Sequence, residues 1–251
     1  MTSADEDHSI GRSGEEEDDE SSEAEAPIPI TADMLARGAA KPFTDSSRGR
    51  VDFEKQMSPA PPATLALIGA CAVVFGVELA VGALKSPEAI VAAGALQQNL
   101  VRQGQVWRLV SSMFLHGSFG HLFGNCVALY ILGVACEHAY GWRLLMLLYF
   151  AAGVCGGLLS IQLHPGPSVG ASGAIFGLQA AAVVFFYKHR NHFYLRDKRI
   201  GFVLLVWGFY TIGTGFFAPF VDNSAHLGGA VAGAAVAWRL KPRLVTAAAI
   251  A

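Results

Sequence analysis

The stretch Gly170-Ala171-Ser172-Gly173-Ala174-Ile175-Phe176-Gly177 opens a run of about 15 apolar or small residues that ends at Lys188. A second stretch, Ala225-His226-Leu227-Gly228-Gly229, opens about a dozen such residues that end at Arg239. At the α-helical rise these runs are roughly 24 Å and 20 Å long, against a hydrocarbon core of about 30 Å. A helix whose charged end stays among lipid headgroups cannot then begin at the far surface. Both helices are therefore expected to start below it. The Ser172 hydroxyl and the His226 imidazole fall at nearly the same depth.

Working outward, the chain joins two unlike parts. Residues 1–62 hold 15 of the 20 acidic side chains and 6 of the 18 basic ones, so the remaining residues carry an excess of bases. The first part is rich in Glu, Asp, Ser and Pro. It buries too little apolar surface to offset the entropy of ordering and is expected to be a disordered acidic tail, a solvating or partner-docking arm. It has no apolar run behind basic residues, unlike a secretory signal, and it is too acidic for a mitochondrial transit peptide. Cys71, Cys126, Cys136 and Cys155 lie in apolar stretches without CxxC spacing and read as buried small hydrophobes.

Six spans are expected, at about 63–84, 121–138, 143–163, 171–187, 200–218 and 225–240. The intervening 85–120, with Gln97, Gln98, Asn99, Arg102, Gln105 and Arg108, is too interrupted to cross. The fold class is thus an all-α membrane protein: a tail over 1–62, a six-transmembrane-helix bundle over 63–241, and a short C-terminal tail over 242–251. Lys188, Arg190, Arg196, Lys198 and Arg199 after the fourth span, and Arg239, Lys241 and Arg243 after the sixth, make those ends cytoplasmic. Both termini are then inside, and spans two, four and six run in the same direction. His121 and Asn125 on span two reach the level of Ser172 and His226, about 6–12 Å below the outer surface by helical rise. Polar residues at such a depth are costly and face a cavity. Gly173 and Gly177, and Gly229 and Gly233, form GxxxG spacings that permit close backbone approach.

A serine hydroxyl needs a base to take its proton, and His226 is the candidate. Ser172 opens its helix after a Gly-rich turn, where free N–H groups and the helix dipole favour negative charge. The backbone N–H of Ser172, with Asn125 and then His121, would stabilise an oxyanion. Such a site needs a polar well open to the outside.

These residues resemble the rhomboid family of intramembrane serine proteases. The resemblance runs from about 63 to 241. It rests on Gly170-Ala171-Ser172-Gly173, on Ala225-His226-Leu227-Gly228-Gly229 before Gly233, on His121-x-x-x-Asn125, on His116, and on Trp107-Arg108 in the long first loop. It implies a Ser172–His226 dyad without an acidic third member, an oxyanion site from His121, Asn125 and the Ser172 backbone, and a first loop lying partly in the outer leaflet. It also implies single-span membrane proteins as substrates, cut through an acyl-enzyme. No cofactor, metal or nucleic-acid partner is expected; the lipid bilayer is the medium. Six spans fit a bacterial plasma membrane.

Two positions depart from the family pattern. Phe176 stands where many relatives carry Tyr, and is expected to stack on His226. Asp222, four residues before His226, reads as a turn or cap residue. Glu78, in the last third of span one, is expected near the outer interface or facing the bundle and receives no role. The main rival is a catalytically inactive rhomboid-like binding or quality-control protein, but such relatives lack the serine, the histidine or both. A transporter would need coordinating carboxylates, and a metalloprotease on His116, His121 and His226 would lack an HExxH motif.

Overall fold

The computed structural model describes residues 50–55, 57–164, 166–218 and 221–248, which form helices joined by short connections. The acidic tail expected over 1–62 lies, up to residue 49, outside the described residues. Its end does not behave as a tail. Phe53 is 3% exposed and packs its ring against His138, Phe185, Phe186 and Phe193. Val51 N donates to His192 O at 2.7 Å, and Arg196 pairs with Asp52 at 2.8 Å. The packed body therefore begins by Val51, not at 63, because one aromatic side chain finds a pocket that the surrounding charge conceals.

α1 (Pro62–Val81) starts on prolines that preset φ and stops at Gly82, which takes the left-handed φ of 72°. Its own N-cap supplies no side-chain acceptor. Glu137 supplies one from elsewhere, accepting from Ala63 N at 3.1 Å, Thr64 N at 2.9 Å and Thr64 Oγ1 at 2.8 Å. The negative charge thus meets a helix N-terminus that would otherwise bury unpaired donors.

The interrupted segment that follows folds as a 3-10 turn (Ala83–Lys85) and three short helices, α2 (Pro87–Ala93), α3 (Gln98–Arg102) and α4 (Arg108–Ser111). Arg108 pins it: Nη1 donates to Val91 O at 2.6 Å and Ala95 O at 2.8 Å, and Nε to Gln105 Oε1 at 2.7 Å. Neighbouring Val106, Trp107 and Val110 are exposed.

The remaining helices are α5 (Phe119–Tyr140), α6 (Trp142–Leu163), α7 (Ser172–Lys188), α8 (Leu195–Gly215), α9 (Asn223–Arg239) and α10 (Arg243–Ala248). By length and composition α1, α5 and α6 can each cross a bilayer. α7 and α9 are shorter, at 17 residues each. α8 begins five residues before the expected span, because Asp197 is fully buried and accepts from Phe53 N at 3.3 Å and Arg196 Nε at 3.2 Å. The expected C-terminal tail is corrected in part: over Arg243–Ala248 it is α10, with Leu244 and Val245 against the core. Cys155, read as buried, is exposed.

α7 is the axis of the bundle, packing against α5, α6, α8 and α9. Ala174, Leu178, Ala181 and Phe185, spaced to share a face, are buried along it. Against α9 the contact is backbone on backbone. A Cβ on Gly229 would collide with the carbonyl oxygen of Gly173, and one on Gly233 with that of Gly177. Lipid tails leave helices little hydrophobic reason to associate, so such close dispersion contact is what holds them.

Candidate active site

Three connections bring the site together. The loop before α7 pairs with the first loop through Leu96 N to Ser168 O at 2.9 Å and Ser168 N to Leu96 O at 3.0 Å. Gly170 N donates to Ser112 O at 2.8 Å. Gly170 itself has φ of 125°, a conformation that L side chains rarely adopt. A Cβ there would press on the His121 ring and sit 3.6 Å from Asn125 Nδ2. The turn thus delivers Ser172 as the first residue of α7, where its N–H is among those lacking an intrahelical acceptor.

His226 sits in the first turn of α9, and its Nε2 lies 2.9 Å from Ser172 Oγ. This is the separation that a nucleophile and its base require. The glycine contact between α7 and α9 makes it possible, because the two residues stand on helices whose backbones touch. Phe176, one turn beyond Ser172, stacks on the His226 ring with centroids 4.3 Å apart and planes 20° from parallel. The expected stacking is present without the tyrosine hydroxyl.

Asp222 is the cap that its position indicates. Its Oδ1 accepts from Ala225 N at 3.0 Å, while Oδ2 accepts from Ser160 Oγ on α6. Both oxygens are engaged away from the imidazole, and His226 Nδ1 is buried with no hydrogen-bond partner among the described residues. Among the described residues, no carboxylate is hydrogen-bonded to the His226 ring.

On the other side stand His121 and Asn125, one turn apart on α5. Ser118 Oγ caps this helix by accepting from His121 N at 3.1 Å. Asn125 is 8% exposed, and its Nδ2 is a buried donor without a partner among the described residues. A buried donor left open costs free energy unless something arrives to accept from it. His116 is fully buried, with its ring edge-on to His121 at 5.2 Å between centroids. Its backbone N–H donates to both carboxylate oxygens of Glu78, each at 3.1 Å.

Ser172, His226, His121 and Asn125 are thus gathered at one end of α5, α7 and α9. The Glu78 contact was missed from sequence. Its signal was a carboxylate alone within an apolar stretch, which needs a partner somewhere.

The rhomboid domain model matches residues 103–243, which takes in every one of these residues except Glu78 and Leu96. This chain belongs to the rhomboid family. Among its relatives, Rhomboid protease GluP of Bacillus subtilis is 38% identical over 152 residues, covering 61% of this chain and 29% of GluP. Rhomboid protease AarA of Providencia stuartii is 32% identical over 179 residues, covering 59% of this chain and 62% of AarA. Inactive RHOMBOID-like protein 8 of Arabidopsis thaliana is 30% identical over 138 residues, covering 54% of this chain and 38% of that protein. This rhomboid therefore spans less than two thirds of these relatives' lengths. Relatives named as proteases and one named as inactive are both similar to this chain, so membership gives a multi-span helical membrane protein. The question of turnover passes to the local geometry.

Proposed function

We propose that this rhomboid is an intramembrane serine endopeptidase that cleaves single-span transmembrane proteins in or near their span. The observation that supports the reading best is the 2.9 Å contact between Ser172 Oγ and His226 Nε2 at the start of a buried helix. In this reading α1, α5, α6, α7, α8 and α9 are six spans with both chain ends on the cytoplasmic side. The shorter α7 and α9 are sheltered by their neighbours where a lipid-facing helix of that length would not be.

The chemistry follows from the atoms present. Ser172 Oγ attacks the scissile carbonyl carbon while its proton passes to His226 Nε2. The carbonyl oxygen becomes an oxyanion, which accepts hydrogen bonds from Asn125 Nδ2, from His121 and from the Ser172 N–H. The open donor on Asn125 fits this task, since it gains its acceptor as the oxyanion forms. The imidazolium then gives its proton to the departing amine, and the C–N bond breaks to leave an acyl-enzyme on Ser172. A water entering from the polar end gives a proton to His226 and attacks the ester. The tetrahedral intermediate collapses, the acid product leaves, and the proton returns to Ser172 Oγ. Phe176 holds the imidazole plane throughout, in place of the missing carboxylate.

The test is reconstitution in liposomes with a single-span substrate, comparing the wild type with Ser172→Ala and His226→Ala. Cleavage by the wild type alone is expected. Equal cleavage by all three, or none by any, removes the protease reading; the second outcome leaves a binding protein. A fluorophosphonate should label the wild type and not Ser172→Ala.

A further inference from the structure

Glu78 is 1% exposed near the end of α1, a span that otherwise consists of apolar and small residues beyond Thr64. A carboxylate in such a place is expensive to keep, and an apolar residue of similar size would pack at lower cost. It contributes nothing to the dyad. Among the described residues its hydrogen bonds run to one group, the backbone N–H of His116. That group lies in the short link between α4 and α5, five residues before His121. The start of the link is tied by Gly170 N donating to Ser112 O and by buried Met113 and Leu115. Nearer α5, His116 Nδ1 donates to Phe114 O at 3.0 Å and Ser118 caps the helix. From His116 the contact continues by the ring edge to His121, and from His121 to the face of Gly170 beside Ser172.

We infer that Glu78 is a positioning residue for oxyanion stabilisation: by holding the His116 backbone from α1, it sets where His121 and Asn125 stand relative to Ser172. This rests on the protease reading and deepens it. The base side of the site is fixed by helix contact between α7 and α9. The donor side has no comparable seam, and a carboxylate reaching across from α1 takes its place. A buried side-chain oxygen paired with one backbone N–H is suited to hold a chain segment that must not drift, since parting them would leave both unsatisfied. Donors must meet the developing charge within a few tenths of an ångström, so drift of the link is felt in the transition state before it is felt in substrate binding.

The experiment uses the full chain in liposomes, with active sites counted by fluorophosphonate labelling so that rates are per competent enzyme. Glu78→Leu, which keeps bulk and removes the acceptor, is expected to lower kcat about tenfold with KM within about twofold. Glu78→Asp keeps the carboxyl group but withdraws it by one methylene, and should lower kcat by about threefold to tenfold on the same ground. Glu78→Gln keeps one acceptor oxygen and should retain most of the rate. In an Asn125→Ala background, Glu78→Asp should cost much less than it does alone, because the donor it positions is gone. Unchanged kcat in Glu78→Asp, a rise in KM alone, or full additivity with Asn125→Ala overturns the inference. If Glu78→Leu does not fold, Glu78→Asp and the cycle still decide. None of these outcomes touches the protease reading, which stands or falls on Ser172→Ala.

Discussion

α9 and α8 both pack on α7, and they do so in opposite ways. α9 meets it through glycines, with Gly229 and Gly233 against the carbonyls of Gly173 and Gly177. α8 buries only Asp197, Gly201 and Gly215, and turns Phe202, Val203, Trp207, Phe209 and Tyr210 outward. Its ties are separate side-chain contacts, such as Gln179 Nε2 to Leu204 O at 2.7 Å and the grip of Asp197 on Phe53 N at its foot. A seam of backbone contacts fixes the distance between two helices with no side chain free to adjust. A set of side-chain contacts leaves slack. Ser172 and His226 stand on the seam, and none of the residues named in the proposed mechanism stands on α8.

The contrast can be broken by measurement, beginning where the effect is largest. Ser172→Ala should lower turnover by roughly 10⁴-fold or more, read as product formed per hour in liposomes. Asn125→Ala should lower kcat by about 10²–10³-fold, since it removes the donor that the proposed mechanism directs at the oxyanion. Gly229→Leu should lower turnover by about 100-fold by forcing α9 off α7, whereas Phe209→Leu on the outer face of α8 should stay within about twofold. Equal losses for these two would erase the distinction between seam and slack. Phe53→Ala should cost about 3 kcal/mol of stability in a denaturation series, while removal of 1–49 should leave stability and turnover unchanged. The smallest effect is expected for Phe176→Tyr, which keeps the stacked ring and should change kcat by less than about threefold.

Much of the site was legible because its signals are local. A serine after a Gly-rich turn, a histidine opening a short apolar run, and glycines four apart are all written in consecutive letters. That these residues share one level was expected from counting residues to the nearest charge. The pieces that escaped depend on partners far along the chain. Phe53 sits among Asp52, Glu54 and Lys55, and composition averaged over that stretch reads as solvated. The early start of α8 depends on Asp197 meeting Phe53 N and Arg196, and a charged turn before an apolar run otherwise reads as loop. Glu78 was visible as an oddity, but its partner is a backbone N–H, which every residue except proline carries and no sequence letter marks.

The seam also constrains heredity. Every single-nucleotide replacement of a glycine codon that yields another residue adds at least a Cβ. At Gly177, Gly229 and Gly233 that carbon collides with a neighbouring alanine or a facing carbonyl oxygen. These codons have no near neighbour through which to drift. A population carrying this gene should hold variation there only as synonymous bases, while the outward side chains of α8 exchange freely among apolar residues.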